Sequence, residues 1–157
     1  MSARPKPPAP VIRTLRAEDV DELVRIEHSA YPYPWTRGIF ADCIRVGYAC
    51  HGLQLGRLLA GYVFLNWVAG ESHLLNLCVD PAWQRRGYGA LLLGHAMDEA
   101  RHHGCEVMLL EVRPTNTEAI RLYLRNDFEV IGRRPAYYEA HGGREDAIVM
   151  RRNLAVA

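Results

Sequence analysis

Gln84-Arg85-Arg86-Gly87-Tyr88-Gly89 lies between an apolar run that reads as a strand and the start of a long helical pattern. A helix start offers backbone N–H groups without intrahelical acceptors, and the helix dipole favours an anion there. Glycines let the main chain approach that anion closely, and Arg85 and Arg86 add positive charge at the rim. The spacing is neither the dinucleotide fingerprint, which needs glycine where Leu92 stands, nor a P-loop, since no Gly-Lys-Ser/Thr follows. A turn with solvated arginines is the competing reading. A second chemical signal is Glu111, a carboxylate inside the apolar run Val107-Met-Leu-Leu-Glu111-Val112. Strand alternation puts it on the face of Val107 and Leu109, where burial would raise its pKa and make it a base. It could equally guard a strand edge or pair with an arginine. Tyr123, on the helix that follows, is a candidate proton donor or a plain core aromatic. Asn116 reads as a cap or first-turn residue of that helix.

These residues need elements to hold them. Val11–Arg16 alternates as a first strand, and Glu18–Ala30 carries Val20, Leu23, Val24 and Ile26 at helical spacing. Tyr31-Pro-Tyr-Pro-Trp35 breaks that helix, and Thr36 is placed to cap a second one running to Val46. Tyr48–Gln54, Leu58–Val68 and Glu71–Val79 read as three strands joined by turns at Gly56 and Ala69-Gly70. A helix from Gly87 to His103 stops at Gly104, and Cys105–Arg113 is an apolar strand. Thr115-x-x-Glu118 has capping-box spacing and opens a helix to Asp127. Glu129–Tyr137 and Arg144–Arg152 form a closing hairpin around His141-Gly-Gly143. The order argues one mixed α/β domain over residues 11–157, preceded by a proline-rich, disordered stretch at 1–10.

Composition narrows the function classes. The chain of 157 residues is 49% hydrophobic, enough for a sizeable core. Its 19 Lys plus Arg against 18 Asp plus Glu leave no electrostatic footprint for nucleic acid or an acidic membrane. Cys43, Cys50, Cys78 and Cys105 form no C-x-x-C unit and read as reduced thiols. Neither a signal-peptide stretch nor a bilayer-length apolar run is seen, so a soluble, cytoplasmic protein is expected. His102-His103 lacks Cys or acidic partners at ligand spacing, so no metal site is expected.

The motifs together resemble a known family. Gln84, Gly87 and Gly89 fill the Q/R-x-x-G-x-G/A loop that grips the coenzyme A pyrophosphate in GNAT acyltransferases. Asn76-Leu-Cys-Val-Asp-Pro81 resembles the strand that runs beside the pantetheine arm. Leu110-Glu-Val-Arg-Pro-Thr-Asn116, with Ala119-Ile120 and Leu122-Tyr123, is similar to the corresponding run of the RimI group within that family. The resemblance spans about Val11 to Asn153. It implies the GNAT fold: a mostly antiparallel sheet of about seven strands, splayed between strands 4 and 5 and flanked by about four helices. It implies acetyl-CoA as cosubstrate, held by the backbone at Leu77, Cys78 and Val79, by the loop residues Gln84, Arg85, Arg86, Gly87, Tyr88 and Gly89, and by Asn116. Glu111 would take the proton of the amine and Tyr123 would protonate the departing sulfur.

The acceptor implied by this resemblance is the N-terminus of a protein, the N-terminal alanine of a small-subunit ribosomal protein or another basic peptide. Tyr33 and Trp35 in one aromatic loop and Tyr138 in the closing hairpin would shape its slot. Glu27, Glu111 and Glu139 are candidates to make that mouth acidic. The alternatives are a small-molecule amine or a lysine as acceptor, or an acyl-CoA sensor without catalysis. Two departures from the family pattern stand out. Asp127 replaces a glycine at a helix end, where aspartate tolerates the left-handed conformation, and Pro114 replaces a small residue just before a helix.

Overall fold

A computed structural model describes residues 7–155. Residues 1–6 of the proline-rich start lie outside that range, and residues 7–10 are exposed and without regular structure. The strands are β1 Val11–Thr14, β2 Ala49–Leu55, β3 Leu58–Val68, β4 Glu71–Val79, β5 Val107–Val112, β6 Glu129–Ala140 and β7 Gly143–Asn153. The helices are α1 Val20–Ala30, α2 Arg37–Val46, α3 Tyr88–His102 and α4 Thr117–Arg125. The strands form one seven-stranded sheet in the order β1-β2-β3-β4-β5-β7-β6. β4 and β5 are parallel and the other neighbours antiparallel.

The sheet is covered on both faces, which explains the unbroken apolar run of β3. Val63 and Leu65 belong to a core with Leu92, Leu93 and Ala96 of α3 and Met108 and Leu110 of β5. Tyr62 and Phe64 point the other way, against Leu23 and Ile26 of α1 and Phe40 of α2. A two-residue period on a strand buried on both sides produces this partition. Gly61 fits the same crowded strand, because a Cβ there would lie 2.7 Å from the Cys78 carbonyl oxygen.

The sheet comes apart where the candidate site residues gather. β4 and β5 pair from Glu71 opposite Val107 to Leu74 opposite Leu110 and no further. At that point Phe64 faces Asn76 and Leu65 faces Leu74, so Leu75 is an extra residue on β4. Such a bulge bends its strand and increases the twist. β4 therefore follows β3 as far as Val79 while leaving β5, and the expected splay has a local cause.

Several local signals act as the sequence implies. The Thr36 side chain accepts from Ile39 N at 3.3 Å and caps α2. Gly104 ends α3 at φ 79, and Asp127 takes φ 66 after α4. The four cysteines are buried and free. The expected capping box at Thr115 does not form. Asn116 is the N-cap, its Oδ1 accepting from Ala119 N at 3.3 Å. Thr115 is still within the preceding turn, its N–H donating to Glu145 Oε2 at 3.3 Å.

Candidate active site

The splay opens a cleft of about 920 Å³, walled by the outer part of β4, the start of α3, the end of β5, α4 and the loop after α1. At one end Gly87 caps α3 with φ 85 and Arg85 adopts φ 64, so alternate residues of the turn are left-handed. The first intrahelical bond there is Leu91 N to Gly87 O at 3.1 Å. The N–H groups of Tyr88, Gly89 and Ala90 precede it and have no helical carbonyl to meet, the arrangement that suits an anion. Gln84 ties the turn to β4, its Nε2 donating to Val79 O at 3.0 Å. Arg85 lines the cleft. Arg86 does not, because its guanidinium lies over the Trp83 ring at 4.9 Å. Leu77, Val79, Gln84, Gly87, Tyr88, Gly89 and Asn116 also line it. The Cys78 side chain turns into the opposite core, and burial pushes its thiol up to about 12.

Glu111 and Tyr123 both line the cleft, from opposite faces of the sheet. Tyr123 is buried in the core with Met108, Leu110 and Val112, its ring 5.6 Å from that of Phe128. Burial raises its pKa well above the ordinary phenol value, with smaller contributions from Tyr138 and Cys78. The phenol is therefore protonated at neutral pH. Glu111 reaches the other face. Its Oε2 lies 2.5 Å from His73 Nε2, and its Oε1 lies 3.7 Å from Arg134 Nη2. The His73 hydrogen bond holds its pKa below the usual carboxylate value, against burial, which pushes the other way. This overturns the expectation of a raised pKa: two cationic or proton-donating neighbours outweigh desolvation.

Where the loop after α1 meets the closing hairpin, the cleft is bordered by a contact that sequence reading misses. The Arg113 guanidinium stacks between Tyr33 and Tyr138, 4.7 Å and 4.3 Å from their ring centroids. Its Nη1 donates to Glu139 O at 2.7 Å and to Glu145 Oε1 at 3.1 Å. The loop after α1 and the β6–β7 hairpin are thus joined across the mouth. Trp35 lines the cleft but also anchors its loop, packing edge-on against Phe40 and Phe64. Tyr31 donates to the Leu77 carbonyl at 2.6 Å, fixing the loop to β4.

Of the three glutamates suggested for an acidic mouth, Glu27 and Glu111 line the cleft and Glu139 does not. Glu27 is buried, accepting at Oε1 from Tyr62 at 2.5 Å and Asn76 at 2.9 Å, and at Oε2 from Trp35 N at 2.9 Å. It is a junction for four elements of the chain. Glu139 is exposed and contributes its carbonyl, not its carboxylate, to the Arg113 contact. Arg85, Arg113, Arg121 and Arg125 also line the cleft, so its charge is mixed.

One histidine cluster stands apart from the cleft. His51 of β2 and His95 and Glu99 of α3 bring ligand-type atoms within 4.8 Å of one another. Glu99 also lies 3.6 Å from His103, an acidic partner for the histidine pair that the sequence did not reveal. The His51 and His95 ring nitrogens are 2.6 Å apart and satisfy each other by a hydrogen bond. Two imidazoles on one tetrahedral zinc need about 3.3 Å between nitrogens at usual bond lengths.

A divided sheet with an anion cradle at a helix start defines a class, and comparison with known proteins agrees. Residues 17–128 match the acetyltransferase (GNAT) family. The chain belongs to that family and is an acetyl-CoA-dependent N-acetyltransferase. Its relatives include the [ribosomal protein bS18]-alanine N-acetyltransferase of Escherichia coli K12, 36% identical over 139 residues, covering 88% of this chain and 94% of the relative. The crystal structure of the ribosomal-protein-S18-alanine N-acetyltransferase from Escherichia coli superposes with TM-score 0.87 at 34% identity, covering 95% of this chain and 96% of that one. YncA from Salmonella typhimurium, solved with its cofactor acetyl-CoA, shares the fold at TM-score 0.79 and 22% identity, covering 95% of this chain and 96% of its own. The cleft suits such a cosubstrate: free N–H groups and Arg85 lie at one end, and Glu111 and Tyr123 line the same cavity.

Proposed function

We propose that this enzyme acetylates the N-terminal α-amine of a protein, and that the N-terminal alanine of ribosomal protein bS18 is its substrate, met in the cytoplasm. The observation that carries this is the near full-length likeness to the bS18-alanine N-acetyltransferase of Escherichia coli. The Arg113 bridge supports it, because a joined mouth admits a chain end more readily than a side chain flanked by two lengths of backbone. The charge balance of 19 basic to 18 acidic residues supports a protein partner rather than nucleic acid.

The cosubstrate supplies an activated acyl group as a thioester. Backbone N–H groups of the α3 start and Arg85 bind its phosphates, and the outer edge of β4 at Leu77 and Val79 runs along its arm. A backbone N–H of this edge polarises the acyl carbonyl. Glu111 takes the proton of the incoming amine, and Tyr123 donates one to the departing sulfur. Tyr33, Trp35 and Tyr138 border the acceptor.

A peptide carrying the bS18 N-terminus should be acetylated, and the same peptide with a blocked N-terminus but intact lysines should react at least about 100-fold more slowly in kcat/KM, a difference of about 2.7 kcal/mol in transition-state stabilisation. Equal rates on both would remove the α-amine assignment. Replacing Arg113 with alanine should raise KM for the free peptide about tenfold, since the two tyrosines lose their common partner. KM for acetyl-CoA should stay within twofold, and a change confined to the cosubstrate would contradict an acceptor-side role.

A further inference from the structure

The Glu111 carboxylate faces a chemical difficulty as a sole base. Moving a proton from an ammonium of pKa ~8 to an ordinary carboxylate of pKa ~4.3 is disfavoured by roughly 5,000-fold. The lowered pKa of Glu111 widens that gap. An imidazole, with an ordinary pKa of ~6.5, reduces the mismatch to roughly 30-fold.

His73 is placed to provide one. It lies on β4 in parallel register with Leu109, two residues before Glu111 on the neighbouring strand. Its Nε2 is 2.5 Å from Glu111 Oε2. Glu111 lines the cleft and His73 does not. The His73 side chain is 36% exposed against 10% for Glu111, so the pair runs from the reaction cleft toward solvent. The groups facing Glu111 are His73 from β4 and Arg134 and Tyr138 from β6. Arg151 of β7 lies cross-strand from Leu109 on the same sheet face. Arg134 carries no removable proton at working pH, and burial and the Glu111 charge keep Tyr138 protonated. Of these side-chain types, imidazole is the one suited to shuttling protons, and His73 is in hydrogen-bond contact with Glu111.

Resting on the reading of Glu111 as the amine's proton acceptor, we infer that His73 completes a two-residue proton exit. Acetylation of an ammonium removes two protons from nitrogen as the C–N bond forms. One is balanced by the proton that Tyr123 gives to sulfur when the C–S bond breaks, with Tyr123 reprotonated from solvent. Glu111 takes protons from nitrogen at its carboxylate; His73, in the tautomer that carries its proton on Nδ1, accepts each from Oε2 at Nε2, gives up the Nδ1 proton to water, and returns to that tautomer by exchange with solvent before the next. No oxidant or further reactant enters. His73 acts through Glu111, so it is a positioning and relay residue rather than a group touching substrate.

The test measures kcat of the full-length enzyme, His73→Asn and His73→Gln from pH 6 to 9, in imidazole buffer and in a buffer too bulky to enter the side-chain gap. Both variants should lose about 10- to 100-fold in kcat at pH 7 with KM for acetyl-CoA unchanged. Added imidazole should restore at least fivefold of that loss while leaving the parent enzyme unaffected. A kcat within twofold of the parent in either folded variant would overturn the relay. So would a loss that is equal at every pH and indifferent to imidazole, which marks a packing role. Glu111→Gln, assayed alongside, separates the two ideas: full turnover in that variant refutes the base itself, whereas its failure with normal His73 variants refutes the relay alone.

Discussion

Replacing Glu111 with glutamine is expected to lower kcat by about 10²- to 10⁴-fold at pH 7, or about 2.7 to 5.4 kcal/mol in the barrier, while acetyl-CoA binds as before. Glutamine keeps the volume and an oxygen that can accept from His73, 2.5 Å away in the parent enzyme, so the strand pair has no reason to open. What is lost is the capacity to accept a proton. The pH behaviour follows from the sign of the shift. The folded pKa of Glu111 is depressed, chiefly by the His73 hydrogen bond. The group is therefore ionised throughout the neutral range, and its contribution to stability is present above the unfolded carboxylate value of ~4.3 and is lost as pH falls through the lower folded value. The acid-side stability loss due to this group should be absent in the variant. A glutamine enzyme with parent turnover at neutral pH would end the base assignment.

Replacing Tyr123 with phenylalanine is the second large effect, a decrease in kcat of about 10²-fold with both KM values nearly unchanged. The ring packs in the core beside Phe128, and phenylalanine fills the same space, so the variant should fold. The hydroxyl is the only atom removed. Its raised pKa keeps it protonated across any practical assay range, so the parent enzyme should show no alkaline loss from this group below pH 10. The size of the effect depends on the leaving group. A coenzyme thiolate, with a thiol pKa of ~8.5, gains moderately from protonation, and a thioester of a more acidic thiol should be nearly insensitive to the substitution. Equal losses with both thioesters would place the role of Tyr123 in packing instead.

The parts of this molecule that local chemistry controls were legible from the chain. Thr36, Gly104 and Asp127 behave as their side chains or backbone freedom require, and the seven strands follow the two-residue period and its turns. The pattern Thr115-x-x-Glu118 misleads by one position because Asn116 is an equally good cap and the fold uses Glu145, thirty residues away, to hold Thr115 N. Arg85 and Arg86 are adjacent and chemically alike. Only the left-handed backbone at Arg85 and the Trp83 ring beneath Arg86 separate their directions. His73 was invisible for a different reason: it meets Glu111 through the register of two parallel strands separated by a helix, and no local spacing encodes that register. The same holds for Arg113, whose partners come from an early loop and a late hairpin. The sign of the Glu111 shift depends on such distant neighbours, which is why strand burial alone predicted it wrongly.

The extra residue at Leu75 carries a cost that bears on any attempt to make this enzyme sturdier. Removing it would let two neighbouring ribbons zip together past Leu74 and Leu110, completing rungs that the fold now forgoes. Thermal resilience and turnover therefore pull on the same residue in opposite directions. A screen that rewards heat tolerance alone would select the closed sheet and, with it, an inert protein.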